Sequence, residues 1–271
     1  MSDFEEIQLD GELEFDNLEM QVEDGVAVIT FNRPDALNAL NGDLMAEFGI
    51  ALDIAATSDE VRALILTGAG RSFIAGADIN EFRNLGSDPF AGRDAALAGQ
   101  DVLAGLAAMP VPTIAAINGF AFGGGLEVAL ACDLRVAASG ARMGLPEVGL
   151  GLIPGYGGTQ RLPRLLGPSR AMDLIFTGRH VEAEEALQLG LVNRVADDAV
   201  QGATELARSM MKNAPISLGV AKEAIVRGLG TDLNQGLEIE ADLFGFISTT
   251  KDMKEGTTAF LEKRKAEFQG E

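Results

Sequence analysis

An α/β fold is predicted by three features of the sequence. Short apolar, β-branched segments recur at residues 26–31, 63–67, 113–117 and 134–138, and stretches with helical spacing separate them. The first three segments each run into an irregular turn and then a helix, through Asn32-Arg-Pro-Asp, Gly68-Ala-Gly-Arg-Ser-Phe and Asn118-Gly-Phe-Ala-Phe-Gly-Gly-Gly. These units repeat weakly in layout and not in sequence. From about Asp198 the strand signal stops, and helical periodicity fills 200–211, 216–226, 233–246 and 251–268. The chain thus divides into an acidic extension over residues 1–16, an α/β core over 17–197 and a helical region over 198–271.

Each part has a physical basis. The extension lacks the basic stretch and apolar run of a secretion signal, so a cytoplasmic location is expected, and its composition assigns it no function. The core follows from length and composition: 271 residues at 47% hydrophobic can bury a large interior. The most apolar stretch, 111–134, is interrupted by Asn118, four glycines, Glu127 and Asp133, so no membrane span is expected. In the helical region Leu237, Ala241, Leu243, Phe244 and Ile247 offer more apolar surface than a terminal segment can hide by itself. Homo-oligomerisation is the natural inference, with packing inside one chain as the alternative.

Composition also removes several chemistries. A single Cys132 forms no internal disulfide, and with a single His180 no His/Cys metal cluster can be built, so neither a metal nor a bound cofactor is expected. Cys132 lies in an apolar helical run and reads as core, and His180 reads as part of a turn before a helix. A net charge of -20 opposes nucleic-acid binding, which depends on clustered cations against phosphate. The same acidity, with 15 Arg against 6 Lys, suggests adaptation to high salt. No Gly-Lys pair exists for a P-loop, and no Gly-x-Ser-x-Gly elbow is present.

Three segments could carry chemistry. In Gly123-Gly-Gly-Leu-Glu the glycines lead into an apolar helix beginning near Gly124, whose free N–H groups and dipole suit an oxyanion. The same glycines equally suit a tight strand-to-helix turn. Glu127 falls in the first turn of that helix among apolar neighbours, where it serves either the helix dipole or catalysis. In Ala75-Gly-Ala-Asp small residues precede Asp78, which reads as the cap of a short helix, and the N–H of Ala77 could point into the same cavity as that of Gly124. Glu147 lies in an otherwise uncharged run of 18 residues. It is either a desolvated acid–base group or a loop carboxylate bonded to nearby amides. Two glutamates and two N–H-bearing turns point to proton transfer beside a polarised carbonyl.

In these residues the chain resembles the crotonase family, and specifically its enoyl-CoA hydratases, from about Leu18 to Phe268. The resemblance rests on Asn32-Arg-Pro-Asp-Ala-Leu-Asn-Ala-Leu, Ala75-Gly-Ala-Asp, Asn118-Gly with Gly123-Gly-Gly-Leu-Glu, Leu145-Pro-Glu, Ile153-Pro-Gly-Tyr-Gly-Gly-Thr-Gln-Arg-Leu and Phe260-Leu-Glu-Lys-Arg-Lys, in the family's order. It implies a crotonase-like spiral of ββα units with a helical C-terminal region used for oligomerisation as a trimer or a pair of trimers. It further implies an acyl-CoA substrate, an oxyanion hole from the N–H groups of Ala77 and Gly124, and hydration by Glu127, which activates water, and Glu147, which delivers a proton.

By the same resemblance Ala36 and Leu37 contact the nucleotide. Ala75, Gly76, Asp78, Ile79, Gly123 and Gly155 line the substrate site. Phe260 and Lys263 approach the adenine and its phosphate, with a neighbouring subunit as one source of them. The competing readings are dehydration of a 3-hydroxyacyl-CoA, double-bond isomerisation and, from a different class, an inactive CoA-binding scaffold. Retention of both acids disfavours the last. Part of the acyl pocket is expected from residues 83–100, where the sequence does not reveal chain-length preference.

Overall fold

The computed structural model describes residues 15–79 and 88–271. Among the described residues ten strands form two sheets. The larger has the order β1 (Leu18–Glu23), β2 (Val26–Phe31), β3 (Ala63–Gly68), β5 (Thr113–Ile117), β7 (Leu134–Ala138) and β10 (Arg194–Ala196). Only β1 is antiparallel to its neighbour, and every other pairing in this sheet is parallel. The smaller sheet has the order β4 (Ser72–Ile74), β6 (Phe120–Phe122), β8 (Arg142–Gly144) and β9 (Val181–Glu182). Its first three strands are mutually parallel.

The two sheets explain the layout read from the sequence. β3, β5 and β7 are each followed by one short strand of the smaller sheet, and the chain then enters a helix or helical turn. β3 and β5 are buried at every position, which is why they read as unbroken apolar runs rather than alternating ones. α1 (Gly42–Thr57) begins at Asn41, whose side chain accepts the Leu44 N–H, and α2 (Pro89–Ala107) begins at Asp88, which accepts the Phe90 N–H. α3 (Gly124–Ala131) is buried along its whole length. α4 (Gly158–Leu166), α5 (Pro168–Thr177) and α6 (Ala183–Leu189) complete this part.

One face of the larger sheet packs against α1 and α3 through residues such as Ile29, Leu66, Phe48 and Leu126. The other face is covered by α7 (Ala199–Met210) through Ala199, Ala203, Leu206 and Ala207. α8 (Pro215–Gly228), α9 (Leu233–Ile247) and α10 (Lys251–Glu262) follow, and α8 and α9 contain no buried residue. Among the described residues no helix is long and apolar enough to cross a membrane.

One predicted element is shorter than expected. The helix read over 251–268 ends at Glu262, because Lys263 turns into the left-handed region at φ 56°. The tail beyond it is held by carboxylates of α10 itself. Asp252 accepts the N–H groups of Gln269 and Gly270, and Glu255 accepts Arg264 and the N–H of Glu267. The acidic extension lies, except for its last two residues, outside the described residues, as does most of the short helix expected after Asp78.

Candidate active site

Two asparagines, Asn38 buried and Asn118 half-buried, set the loops from which the site is built. Asn38, fully buried, accepts the Arg33 N–H and donates to the carbonyls of Ala69, Ser72 and Phe73. It ties the loop after β2 to the β3–β4 turn. Asn118 exchanges hydrogen bonds with Gly68 and thereby fixes the start of β6 beside the same turn.

These ties bring Leu37–Leu40 alongside Ala75–Asp78. The N–H of Ala75 donates to Leu37 O at 3.0 Å, Leu40 N–H to Gly76 O at 2.9 Å, and Asp78 N–H to Leu40 O at 2.7 Å. That is a parallel bridge between Leu40 and Ala77. In such a bridge Ala77 itself directs its N–H away from Leu40. Gly76 and Gly123 adjoin each other: a Cβ on Gly123 would lie 3.8 Å from Gly76 Cα. Gly124 opens α3, so its N–H has no acceptor within the helix. The structure therefore brings the Ala77 and Gly124 segments together, as the sequence predicts.

Gly123 is required there. Its φ of 51° and ψ of -124° suit glycine alone, and a Cβ would stand 3.1 Å from Glu147 Oε1. Gly125 is equally confined, since a Cβ would fall 2.8 Å from that of Ile74. The glycine run thus serves close packing on both sides while it leaves the helix start bare.

Glu127 is 2% exposed. Its Oε1 accepts the N–H of Tyr156 at 2.8 Å and of Gly158 at 2.7 Å, so the carboxylate faces the turn before α4 instead of serving as a cap for its own helix. Burial pushes its pKa up, while the Gly158 and Tyr156 amides and the charge of Arg161 pull it back, leaving it raised. Arg161 also holds that turn directly, donating from Nη1 to Tyr156 O at 2.8 Å.

Glu147 opens a 3₁₀ turn, Glu147–Leu150, and is half-buried. Its Oε2 is shielded from solvent without a hydrogen-bond partner among the described residues. Burial raises its pKa to about 7; its own amide opposes the shift, and the nearby charge of Glu127 adds to it. The reading of Glu147 as a loop carboxylate satisfied by neighbouring amides therefore does not describe that oxygen.

Most other predicted site residues fall near this centre. Leu37, Ala75, Gly76 and Gly123 belong to the loops just described, and Ala36 ends the exposed turn Pro34–Ala36. Asp78 pairs with Arg33 at 3.5 Å, and Ile79 is 59% exposed. Gly155 is held on α2 by Gln100, which donates to its carbonyl at 2.8 Å. Phe260 and Lys263 are not brought into the cluster; they sit on the solvent-facing end of α10, Phe260 at 82% exposure. Among the described residues no group of His, Cys, Asp and Glu is arranged to hold a metal.

A family model described as enoyl-CoA hydratase/isomerase matches residues 21–271. The chain belongs to the enoyl-CoA hydratase/isomerase family. It is similar to a short-chain-enoyl-CoA hydratase of Clostridium acetobutylicum, 46% identical over 94% of this chain and 98% of that protein. A crotonyl-CoA hydratase of Syntrophomonas wolfei is 44% identical over the same shares. Its fold matches the crystal structure of an enoyl-CoA hydratase from Bacillus anthracis with a TM-score of 0.89 and 41% identity, covering 94% of this chain and all of that one. The crotonase-like α/β architecture is thereby shown for this member of the family.

Residues the sequence reading did not single out are the partners of Glu127: the amides of Tyr156 and Gly158, and Arg161. They lie within the Ile153–Leu162 motif that carries the resemblance, and the local reason for its shape is Gly157, which at φ 113° begins α4 as only glycine readily can.

Proposed function

We propose that this chain catalyses the reversible addition of water to a short trans-2-enoyl-CoA, such as crotonyl-CoA, giving the 3-hydroxyacyl-CoA. The observation that carries this reading is the unlike state of two neighbouring carboxyls: Glu127 is held by two amides and faces a cation, whereas Glu147 has an unpartnered buried oxygen. Such a pair suits one proton acceptor and one proton donor at neutral pH.

In the proposed reaction the thioester oxygen accepts the N–H groups of Ala77 and Gly124. As water attacks C3, electron density moves through C2 onto that oxygen, and donors fixed in advance stabilise the enolate more than the substrate. Glu127 takes a proton from the attacking water. Glu147, protonated up to about pH 7, gives its proton to C2. Return of the first proton to Glu147 restores the starting state.

The exposed side chains of Leu229, Leu233, Phe244, Phe260 and Leu261 support self-association through the helical region, as a trimer or a pair of trimers. Phe260 and Lys263 would then reach the CoA of a neighbouring subunit. The acidity of the chain fits a high-salt setting, in which molar KCl would raise its stability.

The test is the loss of crotonyl-CoA absorbance on hydration, followed for the wild type, Glu127→Gln and Glu147→Gln. Hydration by the wild type with loss in both variants is expected. Full activity in either variant would overturn the mechanism.

A further inference from the structure

The chain carries 41 Asp and Glu against 21 Lys and Arg, yet one cavity reverses that balance. Arg62, Arg208, Lys212 and Lys265 line it, and Asp24 is the one acid among its lining residues. Its volume is about 290 Å³. It lies at the end of α7, which covers one face of the larger sheet, whereas α3 with Glu127 packs on the other.

Separate segments deliver these side chains. Asp24 and Gly25, at φ 50° and 80°, form the β1–β2 turn. The N–H of Arg62 donates to Gly25 O at 2.8 Å, and its Nη2 donates to Met211 O at 3.1 Å and Asn213 O at 3.4 Å. Arg62 thus answers carbonyls at the negative end of α7. Its Nε, by contrast, is shielded from solvent and has no acceptor among the described residues. Lys265 and Phe268 arrive on the tail beyond α10. Glu255 and Glu262 claim Arg264, and Asp252 holds Gln269 and Gly270, so the stretch between is fixed while Lys265 keeps its charge free.

A helix C-terminus attracts cations, which accounts for Arg208 and Lys212. It accounts neither for Lys265, from another element, nor for the unanswered Nε of Arg62. Of the four cations only Arg208 has a carboxylate partner, Asp24 at 3.3 Å, and both side chains are exposed, so the pair is weak. Arg62, Lys212 and Lys265 form no ion pair among the described residues. Like charges gathered without counter-charges repel, and in a chain of net charge -20 carboxylates are not scarce.

We propose that this cavity binds a small phosphate-bearing anion, of the size of a diphosphate or a nucleotide, at a site separate from the two glutamates. Phosphate oxygens would answer the free lysines and the donor-rich guanidinium. The volume is at the lower end for a ligand pocket, and Phe268 and Met211 give it an apolar side. The proposal does not depend on the hydratase reading.

Isothermal titration calorimetry of the full chain with sodium pyrophosphate and with ADP, at about 0.1 M ionic strength, tests the site. Saturable binding of at least one is expected. Lys212→Glu and Lys265→Glu should each weaken it about tenfold or more. Lys254→Glu makes the same charge change at an exposed position of α10 outside the cavity, and should stay within about threefold. No saturable binding by the wild type, or losses in the two cavity variants no greater than in Lys254→Glu, overturns the proposal. The second result is also what an anion seated only at the CoA contacts would give. Both cavity lysines are exposed, and circular dichroism checks that their variants fold. Tighter binding of ADP identifies a nucleotide and tighter binding of pyrophosphate an inorganic diphosphate; each, with the loss in the cavity variants, supports the site.

Discussion

The segment carrying Glu127 and the segment carrying Glu147 hold the same residue type in opposite settings. The first is a helix buried at every residue, and its carboxylate is met by two amides and faced by a guanidinium. The second is a 3₁₀ turn with no buried residue, yet one oxygen of its carboxylate is shielded and unpaired. The contrast teaches that deep burial need not make a carboxyl the proton donor. Glu127 is the more buried acid, but two amides and Arg161 offset part of the rise that burial gives its pKa, whereas Glu147 lacks such partners and burial raises its pKa to about 7.

The strongest test of that contrast is removal of each acid. Glu127→Gln and Glu147→Gln should each lower kcat for crotonyl-CoA hydration by about a hundredfold to ten-thousandfold, and the double variant should lose much less than the product of the two, because in the proposed reaction both serve one addition across C2 and C3. A multiplicative loss would show that they act independently. Next in size is Gly123→Ala. It imposes a strained backbone and sets a methyl against Glu147 Oε1, and should cost about 1–3 kcal/mol in chemical denaturation together with a fall in kcat.

Replacing Arg161 by Met takes away a positive charge that favours ionised Glu127 and a tie on the Tyr156 carbonyl. The acidic limb of the kcat/KM profile should then move to higher pH, with partial recovery in Arg161→Lys. An unmoved limb would remove Arg161 from the electrostatics of the pair. On the alkaline side, hydration should decline as pH rises through about 7, where Glu147 loses its proton, and that limb should be absent from the residual activity of Glu147→Gln.

The smallest effect is on stability, and its sign is fixed by linkage. The folded pKa of Glu147 lies above its ordinary value of 4.5, at about 7, so between these limits the folded chain keeps a proton that the unfolded chain has released. This group's contribution therefore falls as pH rises across that window. Glu147→Gln should be more stable than the wild type at pH 8, by about 1 kcal/mol after allowance for partial exposure, and the gain should vanish below about pH 4.5. Thermal melts at the two pH values read the difference.

What was legible in the sequence follows the range of the forces involved. β2, β3, β5 and β7 were readable because buried parallel strands are continuous apolar runs. β4, β6 and β8 have three residues each, too few to show a period, and exist because the preceding long strands deliver them side by side. The end of α10 was misplaced because the sequence beyond Glu262 keeps helical spacing while Asp252 and Glu255 claim the tail's amides from within the helix. Both acids and both N–H-bearing turns of the candidate site could be named from glycine placement and from charge inside apolar runs. The difference between the acids could not, because the amides that answer Glu127 lie 29 and 31 residues away and Arg161 further still.

The order of the larger sheet also governs how the chain must be assembled. β5 joins β3 through pairings such as Leu64 with Thr113, and β10 joins β7 only when Arg194 meets Val136. Each partner strand is made long after the edge that awaits it, and α7, which covers the second face, comes later again. During synthesis an apolar parallel edge stays open until residue 196 and the helix behind it have left the ribosome. Late closure of this kind leaves apolar surface uncovered in the nascent chain, so the demand on its folding during synthesis is set by sheet order and not by the stability of the finished enzyme.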